Sequence, residues 1–165
     1  MRRLFIPEYL SARVSLGLLL VRLVVGLAFM FHGYGKIQHP TGWMGPDAKV
    51  PGAFQFLAAL SEFGGGLAWI LGLLTPLASF GILCTMAVAV YTHAAVLHDP
   101  FISATGGRSF EPASVYFGAA LLLLLAGPGR FSLDRAWTLL ARPGALWRQG
   151  RRCRAYKIVT ALSGP

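Results

Sequence analysis

The stretch VRLVVGLAFMFHGYGK, residues 21–36, places an arginine and a lysine inside an apolar segment that extends from about residue 14 to residue 37. About 20 apolar residues in a helix are enough to cross a hydrocarbon core about 30 Å thick. At helical spacing, one face of this segment carries Arg22, Gly26, Phe29, Gly33 and Lys36. The segment is therefore predicted to be a membrane-spanning helix that buries a charged residue on the same side as two glycines.

The composition of the whole chain is that of a membrane protein. Its 165 residues are 55% hydrophobic and 13% charged, and the mean hydropathy is +0.60. The net charge of +9 raises the question of nucleic-acid binding. The basic residues, however, lie mainly in the two flanks outside the apolar segments, which is typical of cytoplasmic flanks of membrane proteins. We therefore expect a lipid bilayer, and no nucleic acid, among the partners.

Four apolar segments predict an all-α fold, a polytopic bundle of four transmembrane helices. The predicted helices cover about residues 14–37, 54–74, 76–97 and 112–126. Pro76 and Pro112 suit the first turns of the third and fourth helices, where a missing N–H costs nothing. Residues 1–13 would then be a flank, residues 14–135 the membrane domain, and residues 136–165 a basic tail.

The distribution of Lys and Arg predicts the orientation. The N-terminal flank and the C-terminal tail hold 11 of the basic residues, whereas the connections 38–53 and 98–110 hold only Lys49 and Arg108. Both termini are therefore predicted to be cytoplasmic. The tail either forms a helix on the anionic membrane surface or is simply solvated.

Ionisable side chains within the spans mark the candidate site. Each costs about 2.5–3.5 kcal/mol on insertion scales, so such side chains usually face the bundle interior. In the second span, Glu62 shares a face with Gly65, Gly66 and Trp69. Counted from the cytoplasmic helix ends, Arg22 and Glu62 differ in depth by only about 5 Å at a rise of about 1.5 Å per residue. An Arg22–Glu62 ion pair is the resulting prediction.

The third and fourth helices add polar residues near the predicted outer surface. His93 lies near the outer end of the third helix, and Glu111 begins the fourth. The face of the fourth helix that carries Glu111 also carries Val115, Gly118 and Leu122, but not Tyr116. The polar residues predicted to converge on this outer half of the bundle are His32, Lys36, His93 and Glu111.

No cofactor motif accompanies these residues. The four histidines show no i, i+4 pairing within a helix, and Cys84 and Cys153 form no Cys-x-x-Cys spacing. No metal site is expected, and no haem, flavin or iron-sulfur site is encoded. A quinone remains a candidate ligand because it needs no such motif.

Three segments resemble the DoxX family of small bacterial membrane proteins. They are RLVVGLAFMFHGYGKI at residues 22–37, SEFGGGLAWILGLLTPLAS at residues 61–79, and GPGRFSLDR at residues 127–135. The resemblance implies a four-helix protein of the bacterial inner membrane. The family includes relatives of the membrane subunit of thiosulfate:quinone oxidoreductase, components of membrane oxidoreductase assemblies, and more distant proteins that assist maturation of other proteins. Among the matched positions, Arg22, Lys36 and Glu62 are those that could take part in chemistry.

Two functional hypotheses follow. In the first, the chain is a component of a membrane redox system, such as a subunit of a quinone-linked oxidoreductase, with a pocket for a quinone or a small sulfur anion. The proposed catalytic residues are Glu62, Arg22, Lys36 and His93, and the proposed ligand-binding residues are Phe29, His32, Trp69 and Glu111. Electrons would come from a partner protein or directly from a substrate.

In the second hypothesis the chain is a non-catalytic membrane anchor or assembly factor. The glycine faces and the Arg22–Glu62 pair then only shape and hold the helices. A protein partner in a membrane complex is expected under both hypotheses, and a homo-oligomer is compatible with either.

Overall fold

A computed structural model describes residues 10–140 of the chain. Within this part of the chain the structure consists of helices, turns and loops, without a β-strand. The helices are α1 (Ala12–Gln38), α2 (Gly52–Leu71), α3 (Thr75–Val96), α4 (Glu111–Ala126) and α5 (Leu133–Leu140). Residues 1–9 and 141–165 lie outside the described residues, and with them most of the basic flanks and of the predicted tail helix.

Three of these helices are long and apolar enough to cross a membrane. They are α1, α2 and α3, while α4 is a shorter apolar helix of 16 residues. Within residues 10–140, the prediction of an all-helical fold with helices long and apolar enough to span a membrane is therefore confirmed. That α4 is a fourth span, and that both termini are cytoplasmic, stay predictions.

The helix boundaries follow from local chemistry. The Ser11 side chain accepts the backbone N–H of Val14 and caps the start of α1. Pro76 lies in the first turn of α3, where proline sacrifices no helical hydrogen bond. α2 ends at Gly72, whose left-handed φ of 65° is the usual helix-terminating conformation of glycine.

Glycines set the register between α1 and α2, which run antiparallel. A β-carbon built at Gly26 would lie 2.8 Å from the carbonyl oxygen of Gly66, and one built at Gly33 would lie 2.5 Å from the backbone nitrogen of Phe63. Both distances are below ordinary van der Waals contact. The two backbones therefore touch, with Gly26 opposite Gly66 and Gly33 opposite Phe63.

Two of the long helices contain a π-helical turn. In α2 the turn covers Leu60–Gly64, and in α3 it covers Thr92–Val96. The first carries Glu62 and the second carries His93. Turns of this kind widen the helix by one residue and are frequent at functional sites.

The hydrophobic core lies between α1, α2, α3 and α4. Its fully or almost fully buried side chains include Phe29, Trp69, Ile82 and Leu123. The compact unit that contains this core ends at Arg135, and residues from Ala136 on belong to a second unit, of which only residues 136–140 are described.

Candidate functional site

Arg22 is fully buried and binds backbone carbonyl groups. Its guanidinium donates four hydrogen bonds, to the carbonyl oxygens of Trp69 at 2.7 Å, Ile70 at 3.3 Å, Pro128 at 2.7 Å and Phe131 at 2.8 Å. Glu62 instead pairs with Lys36. The predicted Arg22–Glu62 ion pair is therefore wrong.

The prediction failed because it aligned α1 and α2 incorrectly along their axes. Because Gly26 faces Gly66, antiparallel packing places Arg22 opposite residue 70 and leaves Glu62 near Gly33, well over a helical turn away. The depth estimate assumed that α1 begins at the level where α2 ends. In the structure α2 ends beside Arg22, ten residues after the first residue of α1.

The surroundings of Arg22 join four segments of the chain. A β-carbon at position 72 would overlap the Arg22 guanidinium, so Gly72 provides the space for that group. The Asp134 carboxylate accepts the backbone N–H groups of Leu74 at 2.7 Å and Thr75 at 2.9 Å, at the start of α3. We call this cluster of Arg22, Gly72, Asp134 and the four carbonyl groups the Arg22 node. Its hydrogen bonds are those of a structural site.

Lys36 and Glu62 form the ion pair that the structure does contain. The Lys36 Nζ lies 2.6 Å and 2.7 Å from the two Glu62 carboxylate oxygens. The Glu62 side chain is 4% exposed and that of Lys36 is 26% exposed. The pair therefore links the end of α1 to the π turn of α2 and is exposed on the Lys36 side.

Sequence reasoning did not single out Trp43, which lies over this pair. The Lys36 Nζ is 4.5 Å from the centre of the Trp43 ring, a cation–π distance. The indole N–H donates to the backbone carbonyl of Gln55 at 2.9 Å. The available signal was a single tryptophan in a connection, residues 38–53, that is otherwise rich in glycine, proline and polar residues.

A row of aromatic rings runs through the core to the end of the bundle that holds the Lys36–Glu62 pair. Phe29 contacts Trp69 edge to face at 5.7 Å and Tyr116 at 5.0 Å between ring centres. Tyr116 in turn lies 6.0 Å from the ring of His32. The buried Trp69 uses its N–H to donate to Ser79 Oγ at 3.0 Å, so its polar atom is already satisfied.

Tyr116 is the residue of α4 that points toward Phe29 and His32. The sequence pattern places it off the face that carries Glu111. Of the residues predicted to share a face with Glu111, Val115 and Leu122 are exposed. Glu111 itself begins α4, and its backbone N–H donates to the Phe101 carbonyl at 3.0 Å. The predicted face therefore turns largely away from the core.

His93 has a carboxylate partner of its own. Its Nδ1 lies 2.7 Å from Asp99 Oδ2, and the Asp99 backbone N–H donates back to the His93 carbonyl. Among residues 10–140, no group of three or more His, Cys, Asp or Glu side chains is arranged to hold a metal ion. The structure thus separates the four predicted catalytic residues into three groups: the Arg22 node, the Lys36–Glu62 pair and the His93–Asp99 pair.

Comparisons with known proteins place the chain in a family. The DoxX family model matches residues 17–95. The Inner membrane protein YqjF of Escherichia coli is 34% identical over 73% of this chain and 92% of its own length. The Uncharacterized membrane protein Rv3486 of Mycobacterium tuberculosis is 32% identical over 78% of this chain and 86% of its own length. No solved structure matches the chain. The chain therefore belongs to the DoxX family of membrane proteins.

Proposed function

We propose that this protein is a component of a membrane redox system, and that the Lys36–Glu62 pair binds the head group of a quinone. One observation carries the proposal: a two-point ion pair with an almost fully buried carboxylate lies within helices long enough to span a membrane. Charges at such positions are expensive, and they usually mark a functional path or site.

Helix packing alone does not require this pair. Gly26 and Gly33 already bring α1 into contact with α2. The Arg22 node holds the end of α2 against α1 by hydrogen bonds. A buried ion pair adds little net stability, because desolvation of the two charges offsets their attraction. A role in binding or proton transfer explains why the charges are present.

The charge balance of the pair favours a quinone over a small sulfur anion. An anion would have to compete with the Glu62 carboxylate for Lys36, since the carboxylate already neutralises the ammonium group. A quinone is uncharged, and its carbonyl oxygen needs only one donor. An ammonium group has three N–H donors, and the Glu62 oxygens accept two of them. The third can bind the quinone carbonyl, and Glu62 can exchange the proton of the hydroquinone hydroxyl.

The proposed site differs from the sequence prediction in its members. Arg22 and Trp69 are excluded from it because their polar atoms are bonded in the core. His32 remains in it, one helical turn before Lys36 and in edge contact with Tyr116. His93 remains a proposed proton-exchanging group and Glu111 a proposed ligand-binding residue at the same end of the bundle. Electrons come from a partner protein of the complex or directly from its substrate.

The test is the quinone content of the protein purified from its native membrane, the bacterial inner membrane in our proposal. We expect wild type to retain quinone, measured by solvent extraction and absorbance per mole of folded protein. Glu62→Gln should lose it, and so should the charge-free variant Lys36→Met/Glu62→Met. Asp47→Asn, at an exposed acid of the α1–α2 connection, is the matched control and should retain quinone. Wild type without quinone but stabilised by thiosulfate would instead identify a sulfur-anion site.

A second candidate function is that of a non-catalytic anchor or assembly factor. The Arg22 node favours it, because this node takes up residues of all three segments that resemble the family and uses them for packing. This candidate predicts a stoichiometric protein partner, or a second copy of the chain, in native preparations that contain no quinone. Quantitative mass spectrometry of such preparations separates the two functions.

A further inference from the structure

We infer that the connection between α1 and α2, residues 39–51, is a cover over the Lys36–Glu62 pair, with Trp43 as its closing residue and Gln55 as the positioning residue that holds it. The identity of the ligand that reaches the pair, a quinone, rests on the proposed function. The cover itself rests on the contacts of these residues.

Access to the pair leads past Lys36. Glu62 is almost completely buried, whereas part of the Lys36 side chain is exposed. The Trp43 ring lies against the Lys36 ammonium group at 4.5 Å. A ligand that reaches the pair from this side must therefore displace the indole or lie against it.

Gln55, near the start of α2, holds both arms of the connection. Its backbone carbonyl accepts the Trp43 indole N–H at 2.9 Å, and its side-chain oxygen accepts the backbone N–H of Met44 at 3.1 Å. Its side-chain nitrogen donates to the carbonyl of Val50 at 2.9 Å. Gln55 is itself buried, and these three bonds are partly buried. One residue thus fixes the position of Trp43 and closes the loop behind it.

The tip of the loop is held less firmly. Gly45, with a φ of 93°, and the exposed residues Pro46, Asp47 and Lys49 lie between the two arms. The backbone bonds that the structure shows for the tip are short-range turns, from Gly45 to Gly42 and from Ala48 to Gly45. Exposed loops with few bonds open at low free-energy cost. Opening is therefore controlled by the Gln55 contacts.

The chemistry of Trp43 suits the proposed ligand. An indole face binds a cation, and it also stacks on a flat conjugated ring. A quinone head group between Trp43 and Lys36 would replace the cation contact of the indole with a stacking contact. Trp43 is thus assigned as a ligand-contacting residue of the site.

The experiment measures how fast Lys36 reacts with a water-soluble amine-acetylating ester. The chain has three lysines, and the exposed Lys49 of the same loop serves as the internal reference. Purified full-length protein is labelled, digested, and the Lys36 to Lys49 ratio is determined by mass spectrometry. We expect Trp43→Ala and Gln55→Met each to raise this ratio about fivefold to tenfold, the effect of losing about one net hydrogen bond from the closed state. Trp43→Phe, which keeps an aromatic ring, should raise it less.

Met44→Ala is the matched control. The Met44 side chain is exposed and only its backbone N–H contacts Gln55, so the labelling ratio should stay at the wild-type value. An unchanged ratio in both Trp43→Ala and Gln55→Met overturns the cover, and if one variant fails to fold the other decides. Quinone content is measured on the same samples. If the variants raise the labelling ratio but wild type contains no quinone, the cover is supported and the proposed function is contradicted. If wild type contains quinone but the variants leave the ratio unchanged, the proposed function is supported and the cover is contradicted.

Discussion

Lys36 donates from one nitrogen to both carboxylate oxygens of Glu62, at 2.6 Å and 2.7 Å, and so joins the last turns of α1 to the π turn of α2. Among the described residues each charge is the ion-pair partner of the other, and the carboxylate is the more deeply buried of the two. Loss of either partner therefore leaves the other as an uncompensated charge.

The first prediction compares removal of one charge of this pair with removal of both. Lys36→Met should lower the free energy of unfolding by about 3 kcal/mol, the low end for a broken buried pair, because Lys36 is partly exposed. Lys36→Met/Glu62→Met should recover most of that loss, since it removes both charges. Unfolding in detergent, followed by circular dichroism, measures both. Equal stability of the single and double variants would contradict the prediction.

Arg22→Lys should be poorly tolerated although it keeps the charge. A lysine ammonium cannot reproduce the planar set of donors that reaches Trp69, Ile70, Pro128 and Phe131. Hydrogen bonds from a charged donor contribute about 1.5–3 kcal/mol each, so we expect a loss of about 3 kcal/mol or more. The measurement is the yield of monodisperse protein and its thermal midpoint. Arg13→Lys, at an exposed position of the same helix, should have no effect.

Gly66→Ala should separate α1 from α2. A β-carbon at position 66 would lie 2.6 Å from the Gly26 carbonyl oxygen, and both atoms belong to helix backbones that cannot yield cheaply. We expect a loss of about 2–3 kcal/mol. Gly118→Ala in α4 is the control, since a β-carbon there meets nothing within 4 Å. That control should be neutral or up to about 1 kcal/mol more stable. A stable Gly66→Ala protein would disprove the close packing.

Asp134→Ala should loosen the start of α3. The carboxylate accepts two N–H groups that begin this helix, and removal of such a cap costs about 1–2 kcal/mol. Hydrogen exchange of the Leu74 and Thr75 amides should accelerate while that of the Lys36 end stays unchanged. Asp47→Ala, in an exposed loop, should change neither.

The sequence was sufficient to predict the four apolar helices and the buried face of α1. Periodicity places Arg22, Gly26, Phe29 and Gly33 on one side of a helix, and the structure buries that side. Periodicity does not determine the axial offset of one helix relative to another. The backbone contact of Gly26 with Gly66 and the tight turn after Leu71 set this offset, and the offset decides which residue contacts Glu62.

Other parts of the site have weak sequence signals for equally physical reasons. The run of residues 118–126 in α4 is apolar throughout, so no pattern indicates that Tyr116 faces Phe29. The carbonyl acceptors of Arg22 belong to the backbone, which every sequence has. Trp43 and Gln55 meet through a loop whose path depends on turns and not on periodicity.

The use of carbonyl oxygens by Arg22 has an evolutionary consequence. Substitutions at Trp69, Ile70 or Phe131 leave the acceptor in place, because each residue type supplies the same carbonyl group. A lost arginine, by contrast, has among the described residues no hydrogen-bonded side chain whose replacement could compensate. Among DoxX proteins we therefore expect position 22 to be constrained without a covarying partner, whereas positions 36 and 62 should change together.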